Sequence, residues 1–324
     1  MSAAGYSRRA DSDGCGADGP DMTSSVRQVS GFSGQWACRW ALATIAALLL
    51  AWQCYAQGFI VTHEARAVAP GEMMLLTITA PDPILAVDAT AFGHPIPAFP
   101  GGRSGTWHAL AGIDLDTAPG KYDIVIVARL DKGRQSVVHQ IEVSAKGFGV
   151  RRLTVDPKFV TPPASALGRI EREQKRLAEA LTVVSPARLW GGGFVAPVDG
   201  ASAANFGQRS VFNGQPRGSH RGTDFASPSG TPVRAPGRGR VVMAEDLYYS
   251  GNTVLVDHGL GLFSLLAHLA RIDVRVGDLV DAGSSVGEVG ATGRVTGPHL
   301  HWTLRLGSAV VDPLSLLALK GMPQ

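Results

Sequence analysis

The sequence predicts a mainly β chain in which one helix separates two β domains, and three observations carry that prediction. Residues 57–147 alternate apolar and polar side chains with period two, interrupted by Pro70-Gly71, Pro119-Gly120 and Asp131-Lys132-Gly133. From Trp190 onward short apolar runs are separated by glycine turns, and the 40 glycines of the 324-residue chain cluster there. Between the two stretches, Leu167, Ile170, Leu177 and Leu181 recur at helical spacing.

Residues 1–56 read as a disordered start followed by an export signal. Arg27 and Arg39 make a positive region, Ala41 to Ala51 an apolar one, and Ala56 is the small residue preferred at a cut, with Met22 a second candidate start. Cleavage after Ala56 is expected. An uncleaved anchor is the alternative, although the apolar run after Arg39 falls short of the ~20 residues a span requires, and membrane contact is expected only in that case. Both outcomes export the rest of the chain to the periplasm or cell envelope. All three cysteines, Cys15, Cys38 and Cys54, precede residue 57, so a cleaved chain would carry none, as suits an oxidising compartment.

In residues 57–147, Met74, Leu76, Ile78 and Ala80 share one strand face, and Tyr122, Ile124, Ile126, Ala128 and Leu130 share another. The turn at Asp131 joins the second strand to Val137, His139, Ile141 and Val143 as a hairpin. Several short strands over this length predict an immunoglobulin-like β-sandwich. His63, His94, His108 and His139 are isolated in sequence and imply no chemistry.

Residues 148–189 form a linker. Pro162-Pro163 breaks the chain, and a helix follows with Glu171 and Lys175 as an i,i+4 pair, ending before Pro186. Its apolar stripe should dock on one of the domains. In residues 190–320, strands are expected at Val241-Val242, Thr253 to Val256, Leu262 to Leu266, Val274 with Val276, Val286 to Val289, and His299 to Leu306.

The chemistry concentrates in that last domain. On a strand, His299 and His301 lie on one face about 6.5–7 Å apart, placed to share a metal. His220 and Asp224 would stand ~13 Å apart on a straight strand, so Gly222 is expected to bend the backbone between them. With that bend, His220, Asp224 and one of His299 and His301 offer two nitrogens and one carboxylate oxygen, a set suited to zinc (Zn2+) with a water in the open position. His268 and the second histidine of the pair remain free to handle protons.

Around these residues stand Phe206-Gly207-Gln208-Arg209, Thr231 to Pro236, Gly251 to Val254, Asp257-His258-Gly259, Ala267-His268-Leu269, Val276-Gly277-Asp278 and Gly290 to His301. In this order and spacing, residues 203–314 resemble the M23 family of zinc metallopeptidases, the lysostaphin-like endopeptidases of peptidoglycan. The resemblance implies a lysostaphin-like antiparallel β domain, zinc held by His220, Asp224 and His301, His268 and His299 as catalytic groups, His258 as a structural histidine, and peptidoglycan peptides as substrate. Two positions depart from the family pattern. Leu266 stands where a Tyr is usual, which puts a phenolic donor in doubt, and Thr303 replaces a frequent Glu; neither is a ligand position.

A net charge of +3, with Lys and Arg scattered, implies no nucleic-acid partner. The alternative to catalysis is an M23-like module that binds the wall and activates another hydrolase; such relatives lose ligands, whereas this chain keeps them. A lipoyl-type carrier would need a lysine on an exposed hairpin, and after Arg151 only Lys158, Lys175 and Lys320 occur. A regulatory protein partner is left open, as is a gating role for the sandwich and helix.

Overall fold

The computed structural model describes residues 58–322, so the expected export signal, its cleavage and the alternative anchor lie outside the described residues. Among the described residues no helix is long and apolar enough to cross a membrane.

The first eight strands are β1 (Ile60–Ala65), β2 (Met73–Thr79), β3 (Ile84–Ala91), β4 (His94–Ile96), β5 (Ala98–Pro100), β6 (Thr106–Gly112), β7 (Gly120–Leu130) and β8 (Gly133–Val143). They pair antiparallel in two four-stranded sheets, ordered β1-β2-β6-β5 and β4-β3-β7-β8. Met74, Leu76 and Ile78 from one sheet meet Ile124, Ile126 and Ala128 from the other in a shared core. The β7–β8 hairpin turns where the sequence predicts, with Leu130 opposite Gly133.

β2 is apolar on both faces because both are covered. Met73, Leu75 and, from β6, Leu110 join a second core that contains Trp302, Leu304 and Val311. That explains the unbroken run Met73-Met74-Leu75-Leu76, which simple alternation does not. The seam is also polar: Arg66 bridges Glu72 and Asp312 at 2.7 Å each, and Lys146 pairs with Glu72 at 2.7 Å. Two buried carboxylates are tolerated there because both are paired and hydrogen-bonded. Residues 58–322 therefore form one compact unit.

The chain continues through β9 (Val150–Leu153), α1 (Ala164–Thr182), β10 (Ala201–Ser202), β11 (Arg209–Phe212), β12 (Gln215–Ser219), β13 (Thr223–Ala226), β14 (Pro232–Arg234), β15 (Gly239–Leu247), β16 (Gly251–Asp257), β17 (Leu262–Ile272), β18 (Leu279–Val280), β19 (Ser285–Val289), β20 (Leu300–Leu306), β21 (Ala309–Val311) and α2 (Pro313–Leu317). Helix α1 docks Leu177 and Leu181 against Met243, Leu247, Leu255 and Phe263, on the outer face of β15–β17. Its i,i+4 pairs are Arg169–Glu173 and Lys175–Glu179 rather than Glu171–Lys175. The main sheet runs β10-β13-β20-β17-β16-β15-β18, with β19 pairing β17 and β14, and β21 pairing β20. Val274 and Val276 form no strand. The Asp278 carboxylate accepts from the Arg275 amide at 2.8 Å and Gly277 takes φ +99°, so this stretch is a turn.

Candidate metal centre and active-site groove

Strand β20 organises the site. Leu300, Trp302, Leu304 and Leu306 alternate into the core, leaving His301, Thr303 and Arg305 on the other face. Antiparallel pairing places Asp224 of β13 opposite His301, and Ala267 of β17 opposite it on the other side. His220 enters just before β13, its backbone held by Gln208 and Gly207 at 2.9 and 2.8 Å. The backbone bends at Gly222 as expected, and the glycine is needed there for a second reason. Its φ lies outside the left-handed region, but a Cβ there would sit 2.6 Å from both the His301 ring and the Trp302 carbonyl oxygen, so the glycine admits His301 to the site.

Three candidate ligand atoms converge. His220 Nε2 lies 2.9 Å from His301 Nδ1 and 3.1 Å from Asp224 Oδ1, and His301 Nδ1 lies 2.9 Å from Asp224 Oδ1. Tetrahedral zinc with ~2.0–2.1 Å bonds sets its donors roughly 3.3 Å apart, close to the triangle observed. The outer nitrogens are already used: His220 Nδ1–H donates to the Asn205 carbonyl at 3.1 Å, and His301 Nε2–H to Thr303 Oγ1 at 2.9 Å. Each ring thus aims a lone pair inward. Thr303, a departure from the family pattern, serves here as the group that orients His301. The donor chemistry and spacing fit zinc.

The second carboxylate oxygen of Asp224 is clamped by Asn205 Nδ2 at 2.8 Å and by Arg151 Nη1 at 3.1 Å. Burial alone would raise the Asp224 pKa, but the adjoining His220 and His301 rings outweigh it and hold the carboxylate ionised. Burial likewise keeps His220 neutral, its pKa pushed down to about 4 despite the neighbouring Asp224 carboxylate. Sequence reasoning missed Arg151. It comes from β9, inside the expected linker, which pairs parallel with β11 and walls the groove with Arg151 and Leu153, joined by Val155 just beyond the strand. Its only sequence signal was a pair of arginines bracketed by Val150 and Leu153.

His268 reaches the same groove through a β-bulge. Asn252 pairs with Leu269 and Val254 with Leu266, so two residues of β17 oppose Thr253, and His268 adopts φ +67°. Strict alternation would bury His268 on the core side of Ala267; the extra residue turns it outward. Its Nδ1–H donates to the Thr292 carbonyl at 2.9 Å, leaving Nε2 to the groove, and burial first, then His301 and His299, push its pKa down to about 3. His299 Nδ1–H donates to the Gly297 carbonyl at 2.9 Å, and its Nε2 stands 3.7 Å from Asp224 Oδ1. The rings of His268 and His299 are 4.9 Å apart. All five candidate residues therefore line one groove of about 600 Å³. Leu266 does not: it is fully buried in the core, so a phenol there would point away from the groove. Tyr249 brings a phenol to the lining instead.

His258 stands apart, fully buried, donating from Nδ1 to the Arg238 carbonyl at 3.0 Å and accepting at Nε2 from Ser264 Oγ at 2.9 Å. Burial pushes its pKa down to about 4 from 6.5, against the Arg238 carbonyl and Asp257. The unfolded chain takes up this proton near 6.5 and the folded chain does not until about 4, so His258 costs no stability above pH 6.5 and up to about 3 kcal/mol as pH falls toward 4. Urea midpoints of the wild type and His258→Asn across that window check this. The variant should be less stable at neutral pH but lose less on acidification; parallel curves would refute it. In the sandwich, His63 and His139 are not isolated but meet at 2.8 Å across the two sheets.

Comparison with known proteins agrees with this geometry. The profile of Peptidase family M23 matches residues 218–313. The chain is 49% identical over 85 residues to the peptidoglycan DD-endopeptidase ShyA of Vibrio cholerae, which is 26% of this chain and 20% of that protein. It is 41% identical over 97 residues to the DD-carboxypeptidase/endopeptidase Mpg of Neisseria meningitidis, 30% of this chain and 22% of that protein. The matches thus span about a fifth of the length of these curated relatives. Among solved structures, a Pseudomonas aeruginosa protein assigned to peptidase M23 superposes with a TM-score of 0.60 at 32% identity, covering 78% of this chain and 95% of that one. With a relative matched over nearly its whole length and the family profile spanning the groove, this chain belongs to peptidase family M23.

Proposed function

We propose that the chain is a zinc endopeptidase that hydrolyses an amide bond in the stem or cross-bridge peptides of peptidoglycan. The observation carrying this reading is the convergence of His220 Nε2, Asp224 Oδ1 and His301 Nδ1, with His268 and His299 presenting nitrogens to the same groove. Relatives named as peptidoglycan DD-endopeptidases support the substrate class. In this reading His220, Asp224 and His301 hold the metal. When bound, zinc supplies Lewis acidity toward an amide carbonyl and lowers the pKa of water. His268 is neutral and accepts a proton at Nε2, held in place by the Thr292 carbonyl. Once protonated, His268 returns that proton from Nε2 to the leaving amine, and His299, its ring centroid 4.9 Å from that of His268, faces the same tetrahedral intermediate. Catalysis belongs to residues 190–320, with β9 lending a wall, while residues 57–147 form a sandwich that buttresses β20. Export to the cell envelope follows from the substrate.

Digestion of purified sacculi, with mass analysis of the released peptides, tests this. The zinc-loaded wild type should consume cross-linked dimers, and His299→Ala should do so at least about 100-fold more slowly. Intact cross-links with the wild type would overturn the reading.

A further inference from the structure

Resting on the peptidase reading, we infer that Arg294 is a carboxylate-binding residue of the groove, selecting peptides that carry a free carboxylate beside the scissile amide. Arg294 lines the groove, and its guanidinium lies 4.6 Å from the Phe212 ring centroid and 4.9 Å from that of Tyr249. Both rings are in cation–π contact with the guanidinium, which leaves its five N–H donors, set in a planar fork, to grip a carboxylate with two parallel hydrogen bonds. Among the described residues its side chain makes no hydrogen bond or ion pair. The backbone is fixed, its amide donating to the Tyr249 carbonyl at 2.8 Å. Gly293, at φ +74°, permits that approach, since a Cβ there would lie 2.5 Å from the same oxygen.

The surrounding charge favours an anion. Asp224 is the one acidic side chain among the groove-lining residues, and its oxygens are committed to His220, His301, Asn205 and Arg151. Arg151 and Arg217 add positive charge near Arg294 and are themselves engaged, Arg151 with Asp224 and Ser210, Arg217 with the Val160 carbonyl and Gln215. A bound metal would raise the positive potential further. Arg294 is thus the uncommitted cation of a groove that lacks a free anion, and a peptide carboxylate completes it.

Binding distinguishes this inference from the peptidase reading. The probe is a stem pentapeptide ending in D-Ala-D-Ala, prepared as the free acid, as the C-terminal amide, and with its D-Glu carboxylate amidated. Calorimetric titration into a His299→Ala background avoids turnover, and Arg294→Gln and Arg294→Lys are added to that background. Arg294→Gln should weaken binding of the free acid roughly 10–100-fold, with Arg294→Lys recovering part of the loss. One of the two amidations should cause a comparable loss with Arg294 present and abolish the effect of Arg294→Gln, identifying which carboxylate is held. Equal weakening of all three probes by Arg294→Gln would mean that Arg294 only packs the groove wall, and no weakening of any would also overturn the inference. Because the readout is affinity, absence of cleavage by the wild type would sink the peptidase reading without deciding this one.

Discussion

A His220→Ala variant is expected to purify folded, without stoichiometric zinc, and to lose at least about a thousandfold of its sacculus-degrading activity, a barrier increase of ~4 kcal/mol. The loss is large because the site has no spare donor. Removing His220 leaves Asp224 Oδ1 and His301 Nδ1 at 2.9 Å, and two donors cannot hold zinc against water as three do. The fold should survive, since His220 contributes one side-chain bond to the Asn205 carbonyl and its backbone bonds to Gln208 and Gly207 do not need the ring. Elemental analysis of the purified protein and a turnover assay with added zinc check both parts. One zinc per chain with undiminished turnover would shift the ligand role to His299, whose Nε2 stands 3.7 Å from Asp224 Oδ1.

How much of this was legible in the sequence depends on whether the signal was local. The β7–β8 hairpin and the core faces of β2 and β7 follow from period-two alternation and a turn of Asp, Lys and Gly, so they could be read directly. Helix α1 was legible from its apolar spacing, although the docking side chains, Leu177 and Leu181, could be told from exposed Leu167 only by knowing what covers them. The pairs His220 with Asp224 and His299 with His301 were visible as spacings. What spacing could not convey was that β13 and β20 are adjacent and in a register that sets Asp224 beside His301. Arg151 was missed because its contact with Asp224 crosses from a parallel strand that has no local pattern. The direction of His268 depends on a bulge opposite Thr253 that turns it away from the core face Leu266 keeps, so residue identity alone left the missing Tyr looking like a lost catalytic donor. In each case the hidden element is a register or a strand neighbour distant in sequence.

Trp302→Ala is expected to destabilise the folded chain by about 3–5 kcal/mol and to weaken zinc binding although the indole touches no ligand. Trp302 is fully buried between His301 and Thr303, facing the core, with its ring centroid 6.2 Å from that of Phe225 on β13. It pairs across the ladder with Thr223 on one side and Leu266 on the other. The same strand positions that anchor the core therefore set where His301 and Thr303 project, and a cavity at Trp302 lets β13 and β20 shift together. Its carbonyl oxygen also lies against Gly222, so movement there reaches the loop between His220 and Asp224. The indole Nε1 has no hydrogen-bond partner among the described residues. Trp302→Phe should accordingly be much milder than Trp302→Ala, because it keeps an aromatic ring in the core and removes no partnered donor. Thermal unfolding with and without zinc separates the two effects: zinc raises the melting temperature in proportion to its affinity for the folded state, so Trp302→Ala should both melt lower and gain less from zinc. A variant that melts lower but keeps the full zinc increment would show that the ligand face of β20 is held independently of its core face.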